Sequence, residues 1–513
     1  MKKRSIAVAF LLIVCCVMFS AATVLAASNE GRVLNFAYQA ITNSFVHGKL
    51  IGMAEAHSLA QVYDTLILKD FNGDFHPNLA ERWEISPDGM EYTFYLRKDV
   101  KWSDGVDFTA KDVEFTFDYL AKAPAFSWIF DVNIDHMEIV DDHTIKIFMR
   151  KPNTLFISTL ASTSNSLIAP KHGFEKYGDE YGSAPDKIIG TGAYVVTEWK
   201  PDVSITYKAK KDYFRGEPAI KEIKLHRITD TNAAIVAIQT GELDLLLTPI
   251  NGSAYKTLSG NANVMIGEYI SARNEAIYMY CKDGLFSDVR MRKAVAYAIN
   301  KEDILTVAMD GLGHIINYPG DIGSAMTANP DYVPSITYPQ DIEKAKALVK
   351  EAGKVGAPVA IKSYNTDPYA VIGTYLQGVL NEIGLDATVE PMERATFLSQ
   401  LDAEMCSIFP LGWVGSAYDI EEVLGCALHS ANIGTAGNDS FYINPEMDAM
   451  IEAARGESDP EKRKELYKKV IEKFMEEVPF VSTFAFKSAI PRRADLTTDN
   501  PKSYQMFDYR WTN

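Results

Sequence analysis

Aromatic side chains, Trp128, Trp413 and Tyr418 among them, are of the type suited to hold a small molecule. Aromatic rings offer a large contact area with little entropy to lose, and Trp and Tyr add a polar tip. Bond-making chemistry needs other residues. A hydrolase needs a nucleophile beside a base, a metal, or paired carboxylates in a cleft. The chain has no Gly-x-Ser-x-Gly and no His-Glu-x-x-His, and its nine histidines are scattered. No Cys-x-x-Cys or Cys/His cluster occurs, so neither a metal nor a cofactor is expected. Only carboxylate pairs, which form in space, leave a secreted hydrolase as an alternative. The chain reads as a binder and not as an enzyme.

Its compartment is written in the first residues. Lys2, Lys3 and Arg4 precede an apolar run of fourteen residues from Ile6 to Phe19, and Val24-Leu25-Ala26 supplies small residues at its exit. That pattern defines a secretory signal peptide, 1–26, with cleavage expected after Ala26 and a periplasmic destination. The run is shorter than the ~20 residues a spanning helix needs. Cys15 and Cys16 raise a lipid-anchored alternative, but Ile13-Val14 before them lacks a small residue. The net charge of −17 becomes more acidic by three once Lys2, Lys3 and Arg4 leave. Such a surface repels nucleic acid and anionic membranes, and a monomer without nucleic-acid partners is expected. Cys281, Cys406 and Cys426 remain, enough for one disulfide, and Cys406 with Cys426 is one possible pair.

Strands and helices alternate through a chain too long for one hydrophobic core, so two or three domains are expected. Tyr92–Leu96 reads as a strand after the Pro87-Asp88-Gly89 turn, and Thr144–Phe148 alternates similarly. Val195–Tyr207 gives two strands around Pro201-Asp202. Thr109, Ser287 or Asp288, and Asp341 can each cap a helix, and Asp459-Pro460 opens a long one ended by Pro479. Ile372, Leu376, Val379, Leu380 and Ile383 form the apolar stripe of another, stopped by Gly384.

Several segments in order resemble the family 5 extracellular solute-binding proteins, the peptide- and nickel-binding family of ABC importers. They are Leu79-Ala-Glu-Arg-Trp-Glu-Ile-Ser-Pro-Asp-Gly89, Phe94–Gly105, Thr109–Val113, Gly190-Thr-Gly-Ala-Tyr194, Asp212–Pro218, Gln239–Asp244, Asp288–Asn300 and Asp341–Gly353. Their own physical reading is scaffold. Asp88-Gly89 and Asp104-Gly105 are turn dipeptides, and Trp83 and Trp102 are expected to pack inside. The resemblance implies an α/β, two-lobed periplasmic-binding-protein fold with a hinge and an extra domain on the first lobe. Carried over by segment, lobe I takes 27–67, 188–276 and 484–513, the extra domain 68–187, and lobe II 277–483. Crossings are then expected near Ala276-Ile277 and Ser482-Thr483, with hinge closure around the ligand. The implied partners are a peptide or peptide-sized solute and the permease subunits. A nickel chelate or oligosaccharide on the same fold is the alternative.

The resemblance also places Leu411-Gly-Trp413-Val-Gly-Ser416-Ala-Tyr418-Asp419 in a loop facing the cleft. Peptide-binding members carry an Asp three residues after that Trp, which pairs with the peptide amine. Ser416 stands there, and Asp419 either reaches the amine through a longer loop or caps the helix before Glu421-Glu422-Val423. Trp413 with Tyr418-Asp419 is also similar to the nickel-binding branch, but the stretches 123–128 and 159–165 lack the arginines that branch uses. Trp128, His429, Phe45, Asn438 and Thr483 complete the expected ligand contacts.

Overall fold

In the computed structural model, the described residues are 31–49, 53–70, 74–123, 126–153, 155–319, 332–402, 407–414, 420–434, 437–457, 459–500 and 505–512. Period-2 alternation decides how the sheet is covered, because successive strand residues face opposite sides. In the strand Val33–Tyr38, Phe36 joins one core with Tyr63, Ile205 and Leu225, while Ala37 joins another with Ile238 and Leu258. In the strand Val264–Met279, Ile277 and Met279 pack with Val295 and Leu376 on one side. Ala276 and Tyr278 pack with Leu424 and Val470 on the other. Both halves of the sheet are therefore buried on both faces, as sheets with parallel strands require.

The sheet has eleven strands. Its path runs Asp386–Met392, Pro358–Tyr364, Ile408–Val414, Val264–Met279, Phe480–Arg493, Leu245–Leu246, Val33–Tyr38, Glu222–Arg227, Ser204–Ala209, Tyr194–Lys200, with Gly313–Ile315 pairing to Phe480–Arg493. Two long antiparallel strands, Val264–Met279 and Phe480–Arg493, run through both halves. Their ladder breaks between them. Ile270 pairs with Lys487 and Asn274 with Ala485, so Ser271–Arg273 oppose the single residue Phe486. Glu275 then pairs with Phe484 and Ala276 with Ser482, leaving Thr483 as an extra residue. Such bulges bend a ladder and concentrate its twist. The chain is an α/β protein of two lobes joined at this bulged crossing.

A third core belongs to a four-stranded antiparallel sheet in the order Ala80–Ile85, Glu91–Leu96, Thr144–Met149, Ile134–Asp141. The helix Ala110–Lys122 covers it, and Phe94, Trp102, Phe108 and Phe117 fill the space between. Trp102 is buried and its Nε1 donates to Asp112 Oδ2 at 3.3 Å, whereas Trp83 is half-buried. Asp112 Oδ2 also accepts from Thr109 N at 3.0 Å and closes the first turn of that helix.

The expected helix boundaries recur with one difference. The helix Pro460–Glu477 ends before Pro479, on Val478 in the left-handed region with φ 49°. Tyr194–Lys200 and Ser204–Ala209 form the expected hairpin, with Asp202 at φ 59°. Among the described residues, no helix is long and apolar enough to cross a membrane. Residues 1–30 and Cys406, and so the signal peptide and the Cys406–Cys426 pairing, lie outside the described residues.

Candidate functional site

Loops at the carboxyl ends of parallel strands are where open α/β sheets gather ligands. In the first lobe the strand Val33–Tyr38, parallel to both neighbours, feeds the segment 39–52. In the second lobe Pro358–Tyr364 is parallel to Asp386–Met392 and to Ile408–Val414. It feeds 365–368 and the helix Tyr369–Glu382, while Ile408–Val414 feeds 415–419. The bulge at Ser271–Arg273 lies beside these ends, since Arg273 pairs with Val414 and Asn274 with Trp413.

A charged cluster occupies the crossing. Arg273 Nε donates to Glu275 Oε1 at 2.7 Å, and its Nη2 donates to the Tyr369 hydroxyl. The Tyr369 hydroxyl lies 3.4 Å from Glu275 Oε1. The guanidinium sits over the Phe486 ring, 4.7 Å from its centroid. Glu275 is 2 % exposed, and its Oε2 has no hydrogen-bond partner among the described residues. Burial pushes the Glu275 carboxyl up, against the opposing pull of Arg273 and Tyr369. Burial also disfavours the Arg273 charge, yet Glu275 and Tyr369 beside it raise its pKa overall. Gly412 leaves room for this carboxylate, because a Cβ on it would sit 2.1 Å from Glu275 Oε1 and displace it.

A second polar feature lies at the end of Val33–Tyr38. A cavity of about 30 Å³ is lined by His47, Glu55, Phe126, Thr163 and Asn165, among others. His47 is buried, neither ring nitrogen has a hydrogen-bond partner among the described residues, and its ring meets Tyr63 edge-on at 4.2 Å. Burial pushes this imidazole down to about 3, so it is neutral at physiological pH.

The residues expected to touch ligand fall into three groups. Ser416, Tyr418 and Asp419 lie outside the described residues, as do the side chains of Trp128 and Trp413. The backbone of Trp413 closes the strand Ile408–Val414, and Trp128 belongs to the short helix Ser127–Phe130. Thr483 is the bulged residue of the crossing, and its Oγ1 donates to Glu275 O at 2.8 Å. The other three are engaged within single lobes. Phe45 is fully buried and packs edge-on against Trp199 at 5.2 Å. Asn438 is also fully buried. Its Nδ2 donates to Tyr442 O at 2.8 Å, and its Oδ1 accepts from Tyr442 N at 3.1 Å. His429 Nδ1 accepts from Ala431 N at 3.1 Å, and its Nε2 lies 3.3 Å from Glu452 Oε1.

Arg273, Glu275, Tyr369 and the cavity residues are candidates that sequence reasoning missed. Arg273 and Glu275 left a trace, as two charges interrupting the run 269–280. His47, Glu55, Thr163 and Asn165 left none, coming from separate segments.

Two lobes, a two-strand crossing and polar groups gathered at strand ends define a two-lobed solute-binding protein. Residues 74–435 match the family described as bacterial extracellular solute-binding proteins, family 5, and the chain belongs to it. It is similar to the glutathione-binding protein GsiB of Salmonella choleraesuis, with 28% identity over 430 residues and 82% of each chain covered. Among solved structures it superposes on HbpA2 from Haemophilus parasuis with a TM-score of 0.84 and 25% identity, covering 94% of this chain and 100% of that one. The periplasmic binding protein DppA from Helicobacter pylori, in complex with the peptide STSA, has the same fold, with a TM-score of 0.75, 24% identity and 94% and 98% covered. The chain is thus the substrate-binding component of an ABC importer, which captures a solute and delivers it to the permease.

Proposed function

We propose that this chain captures a peptide-sized solute in the cleft at the crossing and closes around it by bending the two shared strands. The bulged ladder carries the reading. Two strands interrupted at 271–273 and at Thr483 concentrate bending where Arg273, Glu275 and Tyr369 cluster beside the end of Ile408–Val414. The likeness to a glutathione-binding protein supports a short peptide as the solute class. In this reading lobe I is 27–67, 188–276 and 484–513, the extra domain 68–187, and lobe II 277–483. Trp413, Ser416, Tyr418, Asp419 and Trp128 line the cleft. The chain transports and does not catalyse.

Native mass spectrometry of protein purified from its own host should show a retained mass in the range of glutathione or a short peptide. Added back at 100 times its dissociation constant, that compound should stabilise the fold by ~2.7 kcal/mol. Small-angle scattering should record a more compact particle, and Trp413→Ala should weaken binding with the fold intact. A tightly bound compound that leaves the particle size unchanged would count against closure. A retained metal chelate or sugar would replace the peptide reading.

Export to the periplasm belongs to the same proposal. N-terminal sequencing of exported protein should begin at Ala27. A chain beginning at lipid-modified Cys15 or Cys16 would instead place it on a membrane anchor.

A further inference from the structure

We propose that the cavity between residues 44–48, the helix Met53–Leu59 and the extra domain is an ammonium subsite, which takes the primary amine of the bound solute. The inference rests on the reading that the solute is peptide-like. Its warrant is a set of polar groups left without protein partners in one place. His47 is 4 % exposed with both ring nitrogens unpaired, and Thr163 Oγ1 is buried and unpaired among the described residues. Asn165 is 7 % exposed, and its side-chain amide makes no hydrogen bond to the described residues. Glu55, half-buried on the helix Met53–Leu59, forms no ion pair among the described residues. All four line the same cavity. Buried polar groups without partners in a native fold ask for a water, an ion or a ligand.

The donor count selects among these. Glu55 is acceptor-only, a neutral imidazole offers one acceptor and one donor, Thr163 offers a hydroxyl that donates and accepts, and Asn165 offers an oxygen and an NH2 group. The set mixes donors and acceptors, and its carboxylate supplies the charge that favours a cation. Its natural complement is a small cation with several N–H donors. A cavity of about 30 Å³ admits a group the size of water or ammonium, and is too small for a guanidinium. Water could occupy the space but would leave the Glu55 charge without a counter-ion. Part of the cavity's lining, Ser44 to Gly48, comes from the chain that follows Val33–Tyr38. Phe126, beside Trp128 in sequence, closes its apolar side.

The test uses the full mature protein and two probe pools, random tripeptides with glutathione, and the same pool N-acetylated. Native mass spectrometry of the wild type should show retention of the free-amine pool at least about tenfold over the acetylated one, the factor expected for a charge-assisted hydrogen bond in a closed site. Glu55→Gln keeps shape and removes charge. It should lose most of that preference while melting like the wild type. Thr163→Val should lose a smaller part of it. Equal retention of the two pools by the wild type would overturn the subsite and leave the peptide reading standing. Glu55→Gln weakening both pools alike would also overturn it. Retention of neither pool would overturn both readings.

Discussion

Arg273→Ala is expected to cost about 3 kcal/mol of stability at neutral pH, with the deficit shrinking toward pH 5. Removing one partner of a buried pair leaves an uncompensated charge and typically costs 3–5 kcal/mol. The lower end applies because the Arg273 side chain is 36% exposed, so water can follow the truncation toward Glu275, whose side chain is 2% exposed. The pH dependence follows from the direction of the Glu275 shift. Burial raises its pKa, and Arg273 is among the groups that hold it down. A raised carboxyl pKa means the folded state binds the proton more tightly. Stability therefore falls as pH climbs from the unfolded value through the folded one. Without Arg273 that window widens upward, so the variant is most impaired at alkaline pH, where Glu275 must ionise inside. Urea unfolding of wild type and variant at pH 5 and pH 8 measures both parts. A deficit that is constant or grows toward acid would show that the Arg273–Glu275 pair is not its source. Adding Glu275→Gln to Arg273→Ala should recover a large share of the loss, because two neighbours in one network are not additive.

Gly190→Ala is expected to cost at least about 3 kcal/mol or to abolish the fold. A Cβ at Gly190 would lie 2.0 Å from the Val62 carbonyl oxygen and 2.6 Å from Val62 Cγ1. The first neighbour is backbone, so no rotamer change relieves it. Val62 is fixed in turn, since its carbonyl accepts from Gly192 N at 2.7 Å and Tyr194 N donates to Gln61 O at 3.0 Å. Gly105→Ala provides the contrast. Gly105 has φ +90° with nothing within 4 Å of a Cβ, so its substitution meets only backbone strain, about 1–2 kcal/mol. Thermal melts of the two variants should separate by several degrees at least. If Gly190→Ala melts with Gly105→Ala or above it, the seam between Val62 and Gly190–Gly192 is looser than its geometry implies.

What was legible in the sequence is local. Asp288, Asp341 and Asp459 stand before helices as capping residues should, and each accepts a backbone N–H of the first turn, from Arg290 at 2.9 Å, Lys344 at 2.9 Å and Glu461 at 3.0 Å. The Pro201-Asp202 turn and the alternating strands around it needed no distant partner to be recognised. The ordered scaffold segments implied the two-lobed fold only through their resemblance to the family, while their own physical reading was turns, caps and packing. The cleft was far less legible. Phe45 and Thr483 are suggested by position in the chain and Asn438 by the polar stretch 434–440, yet Phe45 and Asn438 are buried within single lobes and Thr483 forms the bulge. The pairing of Arg273 with Tyr369, and the meeting of His47 and Glu55 with Thr163 and Asn165, join residues about a hundred positions apart. Caps and turns are decided by hydrogen bonds within a few residues and therefore show in spacing. A cleft is decided by which strand ends the tertiary packing brings together, and no spacing along the chain encodes that.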